Sequence, residues 1–142
     1  MNGLAQDEKM NGRKISEDII ISIVDDDISV RRSTRRLLRS SGFRAEAFAS
    51  AEEFLDSKSA GETACLILDL RMPGMNGLEL QRRLSQNGNP VPIIFLSAQA
   101  SEEDERSALR SGAVQFLRKP VSKEALLNAI RTVLKIPVNY QC

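Results

Sequence analysis

Four apolar runs in this chain each lead into a chemically useful polar residue. IIISIV runs into Asp25, Asp26 and Asp27, and ACLIL into Asp69. VPIIFL runs into Ser97, and AVQFL, one residue later, into Lys119-Pro120. Short continuous apolar runs rich in β-branched residues suit strands buried on both faces of a parallel sheet. Parallel strands end on a common edge, and open α/β sheets bind ligands just outside their carboxyl ends. Three of these carboxylates, a hydroxyl and an ammonium would then share one small site. That set suits one divalent cation and one phosphoryl group.

The intervening segments read as helices. Ser29 to Ser41 places Val30, Leu37 and Leu38 among arginines and stops at Gly42, a natural C-terminal cap. FRAEAF alternates as a further strand. Ser50-Ala51-Glu52-Glu53 reads as a capping box opening a short helix that carries Phe54 and Leu55. Pro73-Gly74 and Asn76-Gly77 mark a tight loop before a helix with Leu78, Leu80 and Leu84, whose buried face this spacing leaves open. Ser101-Glu102-Glu103-Asp104 starts another helix, which Gly112 ends. Ser122 caps a last one, through Leu126, Leu127, Ile130, Val133 and Leu134. Five strands alternating with five helices predict an α/β fold with a parallel sheet covered on both faces. The expected organisation is a flexible leader over 1–17, one domain over 18–136 and a short tail over 137–142.

Several function classes drop out on composition. The 142 residues contain no histidine, so histidine-based acid–base chemistry and histidine metal sites are absent from the chain. A formal net charge of +1 gives no broad field for nucleic acid. Five arginines (Arg31, Arg32, Arg35, Arg36 and Arg39) do crowd the first helix; a solvated face or a partner-docking face explains them better than nucleic-acid binding. No apolar stretch approaches the ~20 residues that cross a bilayer, and the polar start lacks the apolar core of a signal peptide. Two cysteines make no disulfide framework, and Cys65 reads as a buried thiol. A cytoplasmic setting is the expectation.

Within the acidic set, Asp25, Asp26 and Asp69 are oxygen ligands of the kind Mg²⁺ prefers, although capping of the next helix explains the Asp25–Asp27 triplet about as well. Asp27 is assigned to the cap. Asp69 would be crowded by the other carboxylates, and like charges raise a carboxyl pKa. A dication relieves that crowding. A carboxylate so placed is also a nucleophile toward phosphorus, and Ser97 and Lys119 are the donors a transferring phosphoryl needs.

IVDDD, LDLRMPGMNG, FLSA and FLRKP, in this order over about residues 19 to 135, resemble the receiver domain of two-component response regulators. The wording around DDD and DLRMPGMNG is most similar to receivers of the LuxR-type nitrogen-fixation regulator subgroup. The resemblance implies a flavodoxin-like, doubly wound (βα)5 three-layer sandwich. It implies Asp69 as phosphoacceptor, and Asp25, Asp26 and the backbone carbonyl of Arg71 as Mg²⁺ ligands alongside Asp69. Lys119 would pair with Asp69 or its phosphate, Ser97 would bind the phosphoryl oxygen, and Ala98 would keep the site open. Ser97 and Phe116 would form the switch, and Lys119-Pro120 would be cis. Arg71 and Gln99 match positions that tune phosphate lifetime.

The resemblance further implies a histidine kinase or phosphotransfer protein as donor, and a downstream effector domain or protein as reader. A phosphorylation-dependent homodimer is compatible with it; direct nucleic-acid or membrane contact is not expected. The chain is expected to be a signalling domain rather than an enzyme. A phosphatase of the haloacid dehalogenase type also forms an aspartyl phosphate, but its nucleophile sits in a D-x-D motif after the first strand, whereas Asp69 follows the third and precedes Leu70-Arg71. A phosphorylation-independent interaction module would lack a pocket residue, and every one is present here. The seven residues IPVNYQC after the last helix fit a stand-alone receiver or one cut from a longer regulator equally well.

Overall fold

The computed structural model describes residues 19–88 and 90–135. The expected leader and tail, with Cys142, lie outside them. The elements alternate as anticipated: β1 (Ile20–Val24), α1 (Ile28–Ser40), β2 (Arg44–Phe48), α2 (Ala51–Leu55), a 3-10 turn (Lys58–Gly61), β3 (Thr63–Leu68), α3 (Gly77–Gln86), β4 (Ile93–Ser97), α4 (Glu102–Arg110), β5 (Gln115–Arg118) and α5 (Lys123–Leu134). The strands form one parallel sheet in the order β2-β1-β3-β4-β5. The order reverses between β1 and β3, and a crevice opens there at the strand ends.

The two-residue period of the strands divides the core between two faces. Val24, Leu66, Leu68 and Phe95 point toward one layer, with Phe54 of α2, Leu80 and Leu84 of α3 and Ala108 of α4. Ile21, Ile23, Cys65, Ile67 and Ile94 point toward the other, with Leu38 of α1 and Leu126, Ala129 and Ile130 of α5. The sheet is therefore sandwiched, with three helices on one side and two on the other. Cys65 is fully buried, which pushes its thiol up to about 12. It is an inert core residue, as expected.

Local chemistry explains most helix boundaries. Asp27 accepts from the backbone N–H groups of Ser29 and Val30, so it caps α1. Asn76 and Ser101 form reciprocal capping boxes with Glu79 and Asp104. The box expected at Ser50 is only half formed: Ser50 Oγ accepts from Glu53, but the Glu53 carboxylate reaches past Ser50 to the N–H of Ala49. Gly42, Gly88 and Gly112 follow their helices with φ of 96°, 70° and 110°.

The strands differ from the expected runs by one or two residues at their starts. β1 begins at Ile20, and β5 begins at Gln115 rather than Ala113. Val114 is 43 % exposed because it lies on the turn out of α4, before β5 joins the ladder. In α3 the inward face is Gly77, Leu80, Gln81 and Leu84, with Leu78 at its margin. Gln81 is buried although polar, and its amide donates to the carbonyl of Ala108. That bond ties α3 to α4 and satisfies a group that would otherwise be costly to bury.

Candidate functional site

The strand ladders aim the acidic residues. The Asp25 N–H donates to Phe48 O and the Asp69 N–H to Val24 O, so both residues are fixed at the sheet edge by backbone bonds. The Lys119 N–H donates to Ser97 O, which locks the ends of β4 and β5 together. As a result Asp25, Asp26, Asp27, Asp69, Arg71, Ser97, Ala98, Gln99 and Lys119 line one open cleft of about 160 Å³. Every residue assigned from the motifs to phosphate or metal thus faces the same space, with Phe116 set back from it. The cleft is not the largest concavity. A groove of about 740 Å³ runs beside the arginines of α1, and another of about 620 Å³ lies between α1 and α5. Neither gathers opposed charges at one point as this cleft does.

Oxygens of Asp25, Asp26 and Asp69 lie within 4.8 Å of one another. Asp25 and Asp69 are buried and Asp26 is exposed. One Asp25 oxygen accepts from the Asp27 N–H at 2.9 Å and the other from Lys119 Nζ at 2.9 Å. Asp69 has less compensation, because Lys119 Nζ is 3.9 Å from its Oδ1. Burial first, and then the Asp25 charge, push the Asp69 carboxyl up from 3.8 to about 6, against the pull of Lys119 and of the Arg71 backbone. Three hard oxygen donors, one of them on the under-compensated Asp69, fit a small dication such as Mg²⁺.

The lysine meets two of the carboxylates. In this structure Lys119 pairs first with Asp25 and only loosely with Asp69. Asp25 and Lys119 follow β1 and β5, which lie on either side of β3 in the sheet order. Ser97 is fully buried, and among the described residues its hydroxyl reaches only the Gln99 carbonyl, at 3.5 Å. That is longer than the about 2.5–3.0 Å usual for O–H···O bonds, so the hydroxyl remains available to a better acceptor. Phe116 is half-buried and stacks on Phe95, with ring centroids 5.7 Å apart. The Lys119-Pro120 bond is cis.

Some residues that shape the cleft gave little signal in the sequence. Gly77 allows the start of α3 to press on the acceptor loop: a Cβ there would lie 2.5 Å from the Asp69 carbonyl oxygen and 2.9 Å from the Phe95 ring. The Asn-Gly pair signalled a turn but not this contact. Glu52, read only as part of a helix start, accepts from the Met75 N–H and so holds the β3–α3 loop from α2. Met75 is some distance along the chain from Glu52, and no local pattern links them.

The comparisons agree with this geometry. The family described as response regulator receiver domain matches residues 21–131. The chain belongs to the response regulator receiver family. Its relatives include the response regulator protein TmoT of Ectopseudomonas mendocina, 43 % identical over 120 residues, covering 84 % of this chain and 54 % of that protein. The transcriptional regulatory protein FixJ of Bradyrhizobium diazoefficiens is 34 % identical over 115 residues, covering 81 % of this chain and 56 % of that one. A crystal structure of a receiver protein from Burkholderia phymatum superposes with a TM-score of 0.74 at 43 % identity, covering 84 % of this chain and 97 % of the other. The receiver thus spans about half the length of the curated relatives it matches. Among the described residues no helix is long and apolar enough to cross a membrane.

Proposed function

We propose that this receiver accepts a phosphoryl group on Asp69 from a partner histidine kinase or phosphotransfer protein and passes the change to a downstream effector. The observation that carries this reading is the under-compensated Asp69 carboxylate at the strand ends, with Asp25, Asp26 and Lys119 around it. An ionised Asp69 oxygen attacks the phosphorus of a phosphohistidine; the new O–P bond forms as the P–N bond breaks, and the electron pair returns to the imidazole. With its pKa near 6, Asp69 is mostly ionised at pH 7 and so competent for attack.

Asp25, Asp26, Asp69 and the backbone carbonyl of Arg71 are the residues that would hold Mg²⁺. Bound there, Mg²⁺ supplies positive charge against the negative charge of the carboxylates and the incoming phosphoryl. Lys119 offers its ammonium to a phosphoryl oxygen. Ser97 donates its hydroxyl, which has only a long contact to give up. The methyl of Ala98 leaves the approach open. Phe116 responds to the movement of Ser97, and the surface of α4, β5 and α5 changes with it. The phosphoryl can bias this equilibrium only by the difference in its contacts between the two states.

In this reading the chain is a phosphoacceptor that works in the cytoplasm and acts by its surface, not a catalyst of an external reaction. A homodimer that forms on phosphorylation is one form the output takes. Incubating the protein with acetyl phosphate and Mg²⁺ tests the reading by mass spectrometry. A single added phosphoryl group in the wild type and none in Asp69→Asn is the expected result. Equal labelling of the two, or none in the wild type, would overturn it.

A further inference from the structure

Two arginines make matched contacts that the proposed phosphotransfer leaves unused. Arg71 lies two residues after Asp69. Its Nε donates to the Gln99 carbonyl at 3.2 Å, and its Nη2 pairs with Asp104 in the first turn of α4. Arg118 lies two residues after Phe116. Its Nη1 donates to the Ala100 carbonyl at 2.8 Å, and its Nη2 pairs with Glu105 at 2.8 Å, also in the first turn of α4. Each guanidinium therefore grips one carbonyl of the β4–α4 loop and one acid of the helix that follows. The planar fork of arginine spans two acceptors in this way, whereas a lysine ammonium is a point charge.

Their anchors are the two ends of the expected switch. Arg71 emerges beside the acceptor. Arg118 sits over the Phe116 ring, 5.5 Å from its centroid, and pairs in the ladder opposite Ser97. The carbonyl that Arg71 holds is the one that the Ser97 hydroxyl contacts at 3.5 Å. When Ser97 turns away, Arg71 keeps that carbonyl satisfied, so the loop need not unravel to release the hydroxyl.

We propose that Arg71 and Arg118 are positioning residues: forked clamps, one rooted beside Asp69 and one beside Phe116, that bind the β4–α4 loop and the first turn of α4 into a single unit. A displacement at either root then moves α4 as a body. This rests on the receiver reading above and adds the route by which the acceptor site reaches α4. Each ion pair is exposed and weak by itself. The forked geometry, with both clamps on one loop, is what gives them leverage.

The test uses the full chain, with Asp104→Asn and Arg118→Lys. Asp104→Asn keeps a side-chain oxygen for the Ser101 N–H while removing the charge that Arg71 grips. Arg118→Lys keeps the charge but loses the fork. Amide shifts are followed by NMR on adding acetyl phosphate and Mg²⁺, with phosphoryl uptake measured by mass. Both variants should take up the phosphoryl group and show the wild-type response over 97–100, while the response at 107–110 falls by roughly two- to five-fold. In resting protein, amide exchange over 102–105 should quicken by a similar factor. A wild-type response at 107–110 in both variants overturns the clamp, and so does unchanged resting exchange. If the wild type takes up no phosphoryl group, the receiver reading falls, and the exchange measurement alone decides the clamp.

Discussion

Lys119 Nζ is 2.9 Å from Asp25 Oδ2 and 3.9 Å from Asp69 Oδ1. The single ammonium at the strand ends therefore spends most of its charge on the carboxylate that is already fixed by the Asp27 N–H. Asp69 is left as the buried carboxylate with less compensation. The same distances make Lys119 part of the stability of the metal-free protein. Lys119→Met should destabilise it by about 1–3 kcal/mol at pH 7, since it strands buried carboxylates without a cation. Urea unfolding in EDTA measures the loss, and added Mg²⁺ should recover part of it.

The raised Asp69 pKa gives a pH dependence of definite sign. Its folded value, about 6, exceeds the ordinary 3.8, so the folded state holds this proton more tightly than the unfolded chain does. The group favours folding at low pH and becomes a burden as pH rises from about 4 to 6. Two units correspond to at most about 3 kcal/mol. Asp69→Asn should therefore stabilise the metal-free protein at pH 8 by up to that amount, with the gain shrinking below pH 6. Equilibrium unfolding at pH 8 and pH 5, both in EDTA, checks it; a gain that grew toward pH 5 would contradict the sign.

Asp26 is the exposed member of the acidic set. Asp26→Ala should leave unfolding in EDTA nearly unchanged while weakening Mg²⁺ binding on the order of tenfold or more, as loss of a metal's protein partner does. Calorimetric titration with Mg²⁺ reads this directly. Undiminished affinity would remove Asp26 from the ligand set.

Gly77 tests the shape of the acceptor loop without touching a charge. The methyl added in Gly77→Ala meets the Asp69 carbonyl and the Phe95 ring, so either α3 or the loop must shift. Overpacking of this kind costs about 1–3 kcal/mol, and Mg²⁺ affinity should fall along with stability. A thermal melt and the same titration are sufficient, and a neutral result in both would mean the loop yields freely.

Much of the site was legible because it lies at strand ends. A strand that must be buried on both faces announces itself by composition, and its last residue is countable, so Asp25, Asp69, Ser97 and Lys119 could be placed on one edge before any coordinates. Asp27 could be assigned to the helix cap because capping is a contact between neighbours in sequence. AVQFL reads as a strand two residues before the ladder begins at Gln115, because Val114 is as apolar as a strand residue while lying outside the ladder, and burial is decided by the sheet.

The sequence by itself determined the alternation of strands and helices, the edge on which the polar residues meet and the acidic character of their site. Those depend on periodicity and on short-range backbone chemistry. Only the tertiary structure decided that Lys119 leans on Asp25, that Gly77 must lack a side chain and that Glu52 props the β3–α3 loop. It also decided that Arg71 and Arg118 grip the same loop. Most of these are contacts between segments well separated in the chain, and local residue patterns carry no record of them.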